Sequence, residues 1–394
     1  MEKKKNVPVL RFPEFSGEWE KKKLSEVSKF LDGRRKPIKE SDRSKIKGSY
    51  PYYGASGIID YVNDYIFDEE IILLGEDGEN IISRNSPLAF KVSGKCWINN
   101  HAHVIKPNEV SDIDFLTLSL ERISFIKYNT GTAQPKLNQE ICNGIIIPYT
   151  SIDEQKKIAS FITALDIKLQ ALKKKKNLLE QYKKGMMQKI FSQELRFKDG
   201  SGSTFPEWEM KTLGEIAEKK SIKNKNNNVK NVFTNSASVG IVNQRDYFDK
   251  DIANQNNLLN YYIVENNDFI YNPRISNLAP VGPIGRNHLE TGVMSPLYSV
   301  FKFSQGNLDF FEIFFSTTGW HEYMESIANY GARADRMNIT TENFYLMPVP
   351  FPCLEEQTKI AIFLSAIDDK INLCNTQIEK TEQWKKGLLQ KMFV

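Results

Sequence analysis

The chain has 394 residues, of which 40% are hydrophobic and 26% are charged, and its formal net charge is +4. This length suits two or three domains, and the ordinary composition lets each half bury a hydrophobic core. No apolar stretch follows the N-terminal lysines, and none reaches the roughly 18 residues of a membrane span, which argues against a signal peptide and a membrane protein. The four cysteines have no paired spacing, as is typical of reduced thiols. We therefore expect a soluble protein of the cytoplasm.

Lysine and arginine are clustered despite the mild net charge. The basic runs lie at residues 3–5, 21–23, 34–36, 173–176 and 219–230. Such clusters permit binding to nucleic acid, and they also fit an ordinary solvated surface.

The first globular region combines short strand-like runs with one helix. The runs at 50–53, 58–61, 70–74, 88–91 and 103–106 are separated by glycines at positions 54, 57, 75, 78 and 94. A helical pattern follows at 113–126. After it comes a polar loop that begins with glycine, GTAQPKLN at 131–138. The pattern predicts an α+β domain.

The second globular region has a similar order of elements and a different sequence. Strands are predicted at 261–264, 268–271 and 297–303, and a helix at 310–328. The loop GARADRMN then occupies 331–338. The two loops occupy equivalent positions in the two repeats but differ in their side chains. This is expected of a recognition loop, although a purely structural loop would also diverge in sequence.

A long helical segment follows each globular region, and the two segments are copies. Residues 147–191 and 349–393 align without a gap at an offset of 202, with Glu154-Gln155 matching Glu356-Gln357 and Lys183-Lys184-Gly185 matching Lys385-Lys386-Gly387. A second match joins 10–13 and 18–27 to 195–197 and 206–216. The chain is therefore an internal duplication with units at about 10–194 and 195–394. It is not a solenoid, because a solenoid needs three or more short repeats.

Both copied segments have coiled-coil periodicity. The heptad positions are Ile158, Leu165, Leu172, Leu179 and Met186 in the first copy, and Ile360, Ile367, Cys374, Thr381 and Leu388 in the second. Five consecutive heptads without proline favour two paired rods of about 60 Å each. We predict that the rods pair with each other in antiparallel orientation, with lysines 173–176 on the solvent face.

Catalytic signatures are absent from the sequence. It contains no phosphate-binding GxxxxGK[ST] loop, GxSxG elbow or HExxH zinc motif, and Asn272-Pro273-Arg274 only approaches the Asn-Pro-Pro-aromatic loop of adenine methyltransferases. His101 and His103 form an HxH pair, which we expect to pack or to contact a partner instead of binding metal. The acidic pairs at 69–70 and 76–77 lack a companion lysine in a nuclease spacing.

The duplicated pattern resembles the specificity subunit of type I restriction–modification systems. It consists of a glycine-led loop, Ile-Pro or Val-Pro, Glu-Gln-x-Lys-Ile-Ala and a long helix. The opening Leu10-Arg11-Phe12-Pro13 is similar to staphylococcal members. The segments 52–57, 76–78 and 99–103 resemble a common target-recognition domain of the family.

The resemblance implies an α+β fold with two target-recognition domains separated by two long antiparallel coiled-coil helices, in a pseudo-twofold duplication. It places the first target-recognition domain at 1–147, a central spacer helix at 148–194, the second target-recognition domain at 195–348 and a C-terminal spacer helix at 349–394.

The resemblance also implies function and partners. Each domain would read one half of a bipartite, gapped site in double-stranded DNA, and the subunit itself would not be catalytic. Two methyltransferase subunits with S-adenosylmethionine would methylate adenine, and two motor–nuclease subunits with ATP and Mg²⁺ would restrict; the chain itself would hold no cofactor or metal. Half-sites read from one face lie about 34–36 Å apart, a distance that rods of this length can set.

The candidate DNA contacts are amides, hydroxyls, aromatic rings and basic groups, the side chains that reach base edges and phosphates. In the first domain they are Tyr52, Tyr53, Ser56, Arg84, Asn85, Asn99, Asn100, Thr132, Gln134 and Lys136, and in the second Asn235, Ser236, Arg274, Asn277, Arg286, Arg333 and Arg336. Two alternatives stay open: a nuclease with its active site in a globular domain, and a coiled-coil scaffold that does not bind DNA.

Overall fold

A computed structural model describes residues 6–131, 133–247, 255–329 and 335–394. The chain forms two compact units, Met1–Lys174 with Asn375–Val394, and Lys175–Cys374. Each unit therefore contains one globular domain and a part of each long helix. Within the described residues, no helix is both long enough and apolar enough to cross a membrane.

The first half of the chain contains ten strands and six α-helices within its described residues. The strands are β1 (Glu20–Lys23), β2 (Ser28–Phe30), β3 (Lys47–Gly54), β4 (Gly57–Val62), β5 (Phe67–Asp68), β6 (Ile71–Gly75), β7 (Ala89–Val92), β8 (Lys95–Ile98), β9 (Ala102–Pro107) and β10 (Ile146–Tyr149). The helices are α1 (Leu24–Val27), α2 (Glu40–Arg43), α3 (Asn80–Ser83), α4 (Ile113–Glu121), α5 (Gln139–Asn143) and α6 (Ile152–Phe191).

The second half follows a related order. Its strands are β11 (Glu209–Thr212), β12 (Ala217–Lys219), β13 (Phe233–Ser236), β14 (Gly240–Asn243), β15 (Tyr262–Val264), β16 (Phe269–Tyr271), β17 (Ile284–Arg286), β18 (Gly292–Met294), β19 (Ser299–Phe303) and β20 (Pro348–Phe351). Its helices are α7 (Leu213–Ile216), α8 (Gln244–Tyr247), α9 (Leu308–Phe315), α10 (His321–Ile327), α11 (Thr341–Tyr345) and α12 (Leu354–Met392).

Both globular domains are built on the same small frame. The first has a sheet of order β2-β9-β6-β7 and the second a sheet of order β12-β19-β16-β17, all with antiparallel neighbours. A strand pair, β1-β10 or β11-β20, precedes each long helix. The added sheets differ: β4-β3-β8-β5 in the first domain, and β13-β14 with β15-β18 in the second. The predicted α+β fold class is confirmed.

The central strand of each frame is buried on both faces. In β6, Ile72 and Leu74 pack into one core, while Ile71 and Leu73 pack into another on the opposite side. Successive side chains of a strand point to opposite faces, so a strand between two cores is hydrophobic throughout. Such a strand has the continuous apolar pattern seen at 71–74.

The predicted helix at 310–328 is wrong as one element. The structure has α9 and α10 instead, separated at 316–320. Ser316 and Thr317 donate their hydroxyl groups to the carbonyls of Ile313 and Phe314, at 2.6 and 2.7 Å. Hydroxyl side chains that bond the backbone in this way compete with helix hydrogen bonds, which explains the break. The predicted helix at 113–126 likewise ends at Glu121.

The long helices pair in antiparallel orientation inside each unit. In the first unit Asp166 of α6 contacts Lys385 of α12, and Lys173 contacts Glu382 at 2.6 Å, so residue numbers rise along one helix and fall along the other. In the second unit Lys183 contacts Asp368 at 2.6 Å. At the repeat offset of 202, Asp166 corresponds to Asp368 and Lys183 to Lys385. The same ion pair is therefore made twice, with donor and acceptor exchanged between the helices, which confirms the predicted pairing.

The repeated Glu-Gln pair has a structural role beyond a favourable charge at a helix start. Glu154 is 1% exposed and accepts two hydrogen bonds of 2.7 Å from Arg11. In the second repeat Glu356 is 0% exposed and accepts a hydrogen bond of 2.9 Å from Arg196. The segment that precedes the first strand of each domain, residues 10–13 or 195–197, is therefore bound through its arginine to the first turn of the long helix. We call these two stretches the entry segments.

The glutamine of this pair fixes a second element. The Oε1 atom of Gln155 accepts a hydrogen bond from the backbone of Asp112, the N-cap of α4, at 2.9 Å. The Oε1 atom of Gln357 accepts one from Asn307, the N-cap of α9, at 2.7 Å. The motif thus joins the entry segment, the domain helix and the long helix in both units.

Candidate nucleic-acid interface

The second globular domain has an open cleft of about 520 Å³. Three stretches distant in sequence converge on it: strand β13 with the turn after it, the segment from Asn272 to Leu278, and the segment from Ser295 to Tyr298. Its lining comprises Thr234, Asn235, Ser236, Ala237, Ser238, Gln244, Tyr247, Tyr261, Asn272, Pro273, Arg274, Ile275, Ser276, Leu278, Pro283, Ser295, Leu297, Tyr298 and Arg336. Hydroxyl, amide, guanidinium and aromatic groups thus meet in one concavity.

Two buried asparagines form the floor of the cleft. The Nδ2 atom of Asn235 donates to the carbonyl of Ile270 at 2.8 Å, and the Nδ2 atom of Asn272 donates to the carbonyl of Asn235 at 2.9 Å. Gly282 closes the floor with φ of +80°, where a Cβ would lie 2.1 Å from the carbonyl oxygen of Asn272. Glycine is required there because other residues disfavour this φ and the space is filled by backbone. The side-chain amides of both asparagines are thus bonded to backbone carbonyls of the domain.

The walls carry hydroxyl groups and two arginines. The Tyr247 hydroxyl lies 3.0 Å from Oγ of Ser236, and this hydrogen bond lowers the pKa of Tyr247. Arg274 and Arg336 face each other across an antiparallel backbone bridge. The Arg274 side chain is 59% exposed, and its Nε lies 3.5 Å from the carboxylate of Asp335. An exposed, weakly paired guanidinium beside hydroxyl groups is suited to phosphates and base edges.

In the first domain, polar groups converge at the edge formed by the loop before α5. The loop before α5 is held to the end of β6 because Gly78 donates to the carbonyl of Pro135 at 3.0 Å and Leu137 donates to that of Glu76 at 2.7 Å. Lys136 reaches Glu76 at 3.4 Å and is otherwise exposed. The loop therefore presents Lys136 from a fixed backbone.

His103 anchors this loop from below. It is 1% exposed, with Nδ1 at 2.6 Å from a carboxylate oxygen of Asp32 and Nε2 at 2.9 Å from the carbonyl of Leu137. Both neighbours accept hydrogen bonds, so both ring nitrogens carry protons. Burial disfavours this charge, but the hydrogen bonds to Asp32 and Cys142 outweigh it and raise the pKa of His103 to about 10.

Asp32, Glu76 and His103 lie close enough together to be considered as a metal site, but their hydrogen bonds argue against one. Their ligand atoms lie within 4.8 Å of one another. A doubly protonated imidazole has no free lone pair for a metal. Arg35 also occupies the cluster, with Nη1 at 2.7 Å from Glu76 and Nη2 at 3.4 Å from Asp32. We assign these residues to a buried ionic network that supports the loop.

The sequence-predicted contact residues divide into four groups. Exposed positions are Ser56, Asn85, Asn100, Gln134, Lys136, Arg274 and Asn277. Half-buried positions are Tyr53, Ser236 and Arg336. Buried or committed to internal contacts are Tyr52, Asn99, Asn235, Arg84 and Arg286. Thr132 and Arg333 lie outside the described residues.

The third group supports the fold. The Tyr52 hydroxyl accepts from the backbone of Ile38 at 2.9 Å, and Arg84 pairs with Glu121 at 2.6 Å. Arg286 is 12% exposed and pairs with Asp309 at 2.5 Å. Asn99 accepts from the backbone of His101 at 2.8 Å. Side chains satisfied in this way are not free to read DNA, so we do not carry them into the proposed interface.

The structure also adds cleft residues that sequence reasoning missed. They include Ser238, Gln244, Tyr261, Leu278, Leu297 and Tyr298. The polar run at 234–238 is a usable signal, because four of its five residues carry a hydroxyl or amide group. The sequence gives no signal for the tyrosines and leucines of the cleft, because residues of the same types also fill the hydrophobic cores.

Comparison with known proteins identifies the family. Residues 16–181 and 206–383 match the type I restriction modification DNA specificity domain. The MjaVIII specificity subunit of a type I restriction enzyme from Methanocaldococcus jannaschii is 24% identical over 412 aligned positions, covering 98% of this chain and 93% of that protein. A putative specificity subunit, S.HindORF215P, from Haemophilus influenzae is 36% identical over 148 residues, covering 38% of this chain and 37% of that protein.

A solved structure agrees in fold. The S subunit of a type I restriction-modification system from M. genitalium superimposes with a TM-score of 0.62 at 14% identity, covering 98% of this chain and 99% of that one. The prediction of a specificity subunit, and of no catalytic role for this chain, is confirmed by the family match; the nearer resemblance to staphylococcal members stays a prediction. The chain belongs to the type I restriction modification DNA specificity family, and it carries the family's domain twice.

Proposed function

We propose that the chain reads a bipartite, gapped site in double-stranded DNA, with one half-site assigned to each globular domain, and directs adenine methylation and ATP-dependent restriction by partner subunits. The observation that carries this proposal is the pairing of two like frames with two unlike surfaces. The sheet order and the Arg–Glu tie recur, while the cleft of the second domain and the loop edge of the first do not.

Two unlike surfaces suit an asymmetric site. Base edges in the major groove are told apart by hydrogen-bond donors and acceptors, so different side chains select different bases. Ser236, Arg274 and Arg336 are the proposed contacts of the second domain, with Asn277 on the adjoining turn. The proposed contacts of the first domain are Tyr53, Ser56, Asn85, Asn100, Gln134 and Lys136.

The long helices are proposed to set the gap between the half-sites. A helix of 40 residues is about 60 Å long, and four inserted residues add about 6 Å. Since each base pair advances the duplex by about 3.4 Å, such an insertion should widen the gap by about two base pairs.

Each long helix exposes an aromatic side chain at an equivalent position, which suggests binding sites for two copies of one partner. Tyr182 of α6 and Trp384 of α12 correspond at the offset of 202, and each is 51% exposed. Large exposed aromatic side chains are enriched at protein interfaces. We assign these positions to two methyltransferase subunits, which would supply S-adenosylmethionine. Two motor–nuclease subunits with ATP and Mg²⁺ would complete the restriction enzyme in the cytoplasm.

Methylome sequencing of cells that express this chain with compatible methyltransferase subunits tests the proposal. We expect one motif with two specific parts and a fixed gap. A four-residue insertion in the exposed middle of both helices should change the gap and leave the specific parts unchanged. A continuous motif would contradict the assignment of one half-site to each domain. Cleavage of DNA by the purified chain with a divalent metal would favour a nuclease instead.

A further inference from the structure

The shape of the second domain's cleft restricts what can enter it. A protein element that reads the major groove is convex, as a helix or a two-stranded ribbon is, because the element must fit inside the groove. The cleft is concave, and at about 520 Å³ it lies in the size range of small-ligand sites. DNA that occupies this cleft would therefore have to extend a group out of the duplex.

A rigid turn presents a leucine at the mouth of the cleft. Ser276 and Ala279 exchange two backbone hydrogen bonds, of 3.0 and 3.1 Å, around Asn277 and Leu278. Ala279 is 8% exposed and holds the base of the turn, while Leu278 is 73% exposed and also lines the cleft. DNA-bending proteins insert apolar side chains of this kind between base steps.

The lining suits a nucleobase better than a phosphate. Aromatic rings are available from Tyr261 and Tyr298, and hydrogen-bonding groups from Thr234, Ser236 and Ser238. Aromatic rings stack on any base, and hydroxyl groups bond its edges. Within the described lining no lysine is present, and the planar guanidinium groups of the two arginines suit base edges as well as phosphates.

We propose that the cleft receives one nucleobase displaced from the half-site, and that Leu278 fills the gap this base leaves in the stack. The base would lie among the tyrosine rings, with its edge toward the hydroxyl groups of β13 and the turn that follows. This inference rests on the proposed function, and it assigns to the second domain a way of reading DNA in addition to contacts with base edges in the groove.

Fluorescence of 2-aminopurine tests the inference in the complex of this chain with its methyltransferase subunits. The probe is placed in turn at each position of the half-site read by the second domain, leaving out the methylated adenine, which methyltransferases displace themselves. We expect a several-fold rise in fluorescence at one position on binding. Leu278→Ala should abolish the rise and weaken binding about tenfold, as expected for the loss of one buried apolar side chain.

Two further variants separate the wedge from the receiving cleft. Leu346→Ala removes a leucine of the same domain that is 53% exposed and does not line the cleft, so the fluorescence rise should persist. Ser238→Trp should fill the cleft and reduce the rise while Leu278 is still present. Tight binding and methylation without unstacking at any probed position would overturn the inference and leave the proposed function standing. Failure to bind or methylate any bipartite site would overturn the proposed function itself.

Discussion

The two globular domains share a frame and differ in the surface built on it. In the frame, Arg11 and Arg196 make the same contact with a buried glutamate. On the surface, the first domain presents a loop fixed by His103, and the second presents a cleft floored by Asn235 and Asn272. The difference shows that the duplication preserves what holds each domain to the long helices and leaves free what faces outward.

The largest effect is expected from the shared frame. Arg11→Ala and Arg196→Ala each leave a carboxylate buried without its guanidinium, and breaking a buried pair in this way costs about 3–5 kcal/mol. The two variants should lower the free energy of unfolding by similar amounts in denaturant titrations. Glu207→Ala is the matched control: this carboxylate also contacts Arg196 but is 90% exposed, so its loss should cost less than about 1 kcal/mol. A small loss of unfolding free energy in either arginine variant would show that the arginine–glutamate contact does not stabilise the two domains equally.

The next effect is confined to the first domain. His103→Gln removes a buried cation that ties Asp32 to the loop that carries Lys136, and we expect a loss of about 3 kcal/mol in unfolding free energy. His101→Gln is the control, because the His101 side chain is 51% exposed and its pair with Asp77 is worth less than about 1 kcal/mol. Equal losses in the two variants would contradict the anchoring role of His103.

The same histidine gives the first domain a pH dependence. The folded-state pKa of His103 is raised from 6.5 to about 10. A raised pKa stabilises the fold fully below about pH 6.5, and this stabilisation is lost as the pH rises toward 10. Unfolding free energies measured across this interval should fall with pH in the wild type and should fall less in His103→Gln. An unchanged slope in the variant would mean that another group titrates.

A smaller effect concerns specificity in the second domain. Arg336→Ala removes a guanidinium from the cleft, and a lost base contact costs about 1–3 kcal/mol of discrimination. Methylome sequencing should show relaxed specificity in one half-site and no change in the other. Lys136→Ala is the converse variant and should affect the other half-site. If both variants altered the same half-site, the assignment of one half-site to each domain would be wrong.

The smallest effect is expected where the helices pair. Lys183 and Asp368 are 24% and 41% exposed, so Lys183→Ala should cost only about 0.5 kcal/mol. Exchanging the charges, with Lys183→Asp and Asp368→Lys together, should restore most of that loss. A double-mutant cycle gives the coupling energy between Lys183 and Asp368, and a second cycle gives that between Asp166 and Lys385. The two coupling energies can then be compared directly. A large coupling in one pair alone would show that the helix contacts have diverged as the surfaces have.

The sequence by itself determined the duplication, the two long helices and the α+β class, because each follows from periodicity or identity along the chain. Heptad spacing is local, and Ile158, Ile360 and Leu388 are buried where it placed them. The repeated Glu-Gln pair was also visible, but its partners were not, since Arg11 lies 143 residues before Glu154. A contact over that distance depends on how the frame folds.

Only the tertiary structure decided which polar residues face outward. Tyr52 and Asn235 have the same chemistry as surface contacts, yet both are buried: the Tyr52 hydroxyl accepts a hydrogen bond from the backbone of Ile38, and the Asn235 amide nitrogen donates one to the carbonyl of Ile270. The cleft could not be seen in the sequence either, since it joins β13 to segments from Asn272 and from Ser295 onward and to Arg336. Side-chain type indicates what a residue can bind, whereas long-range packing decides whether that group is exposed and what stands beside it.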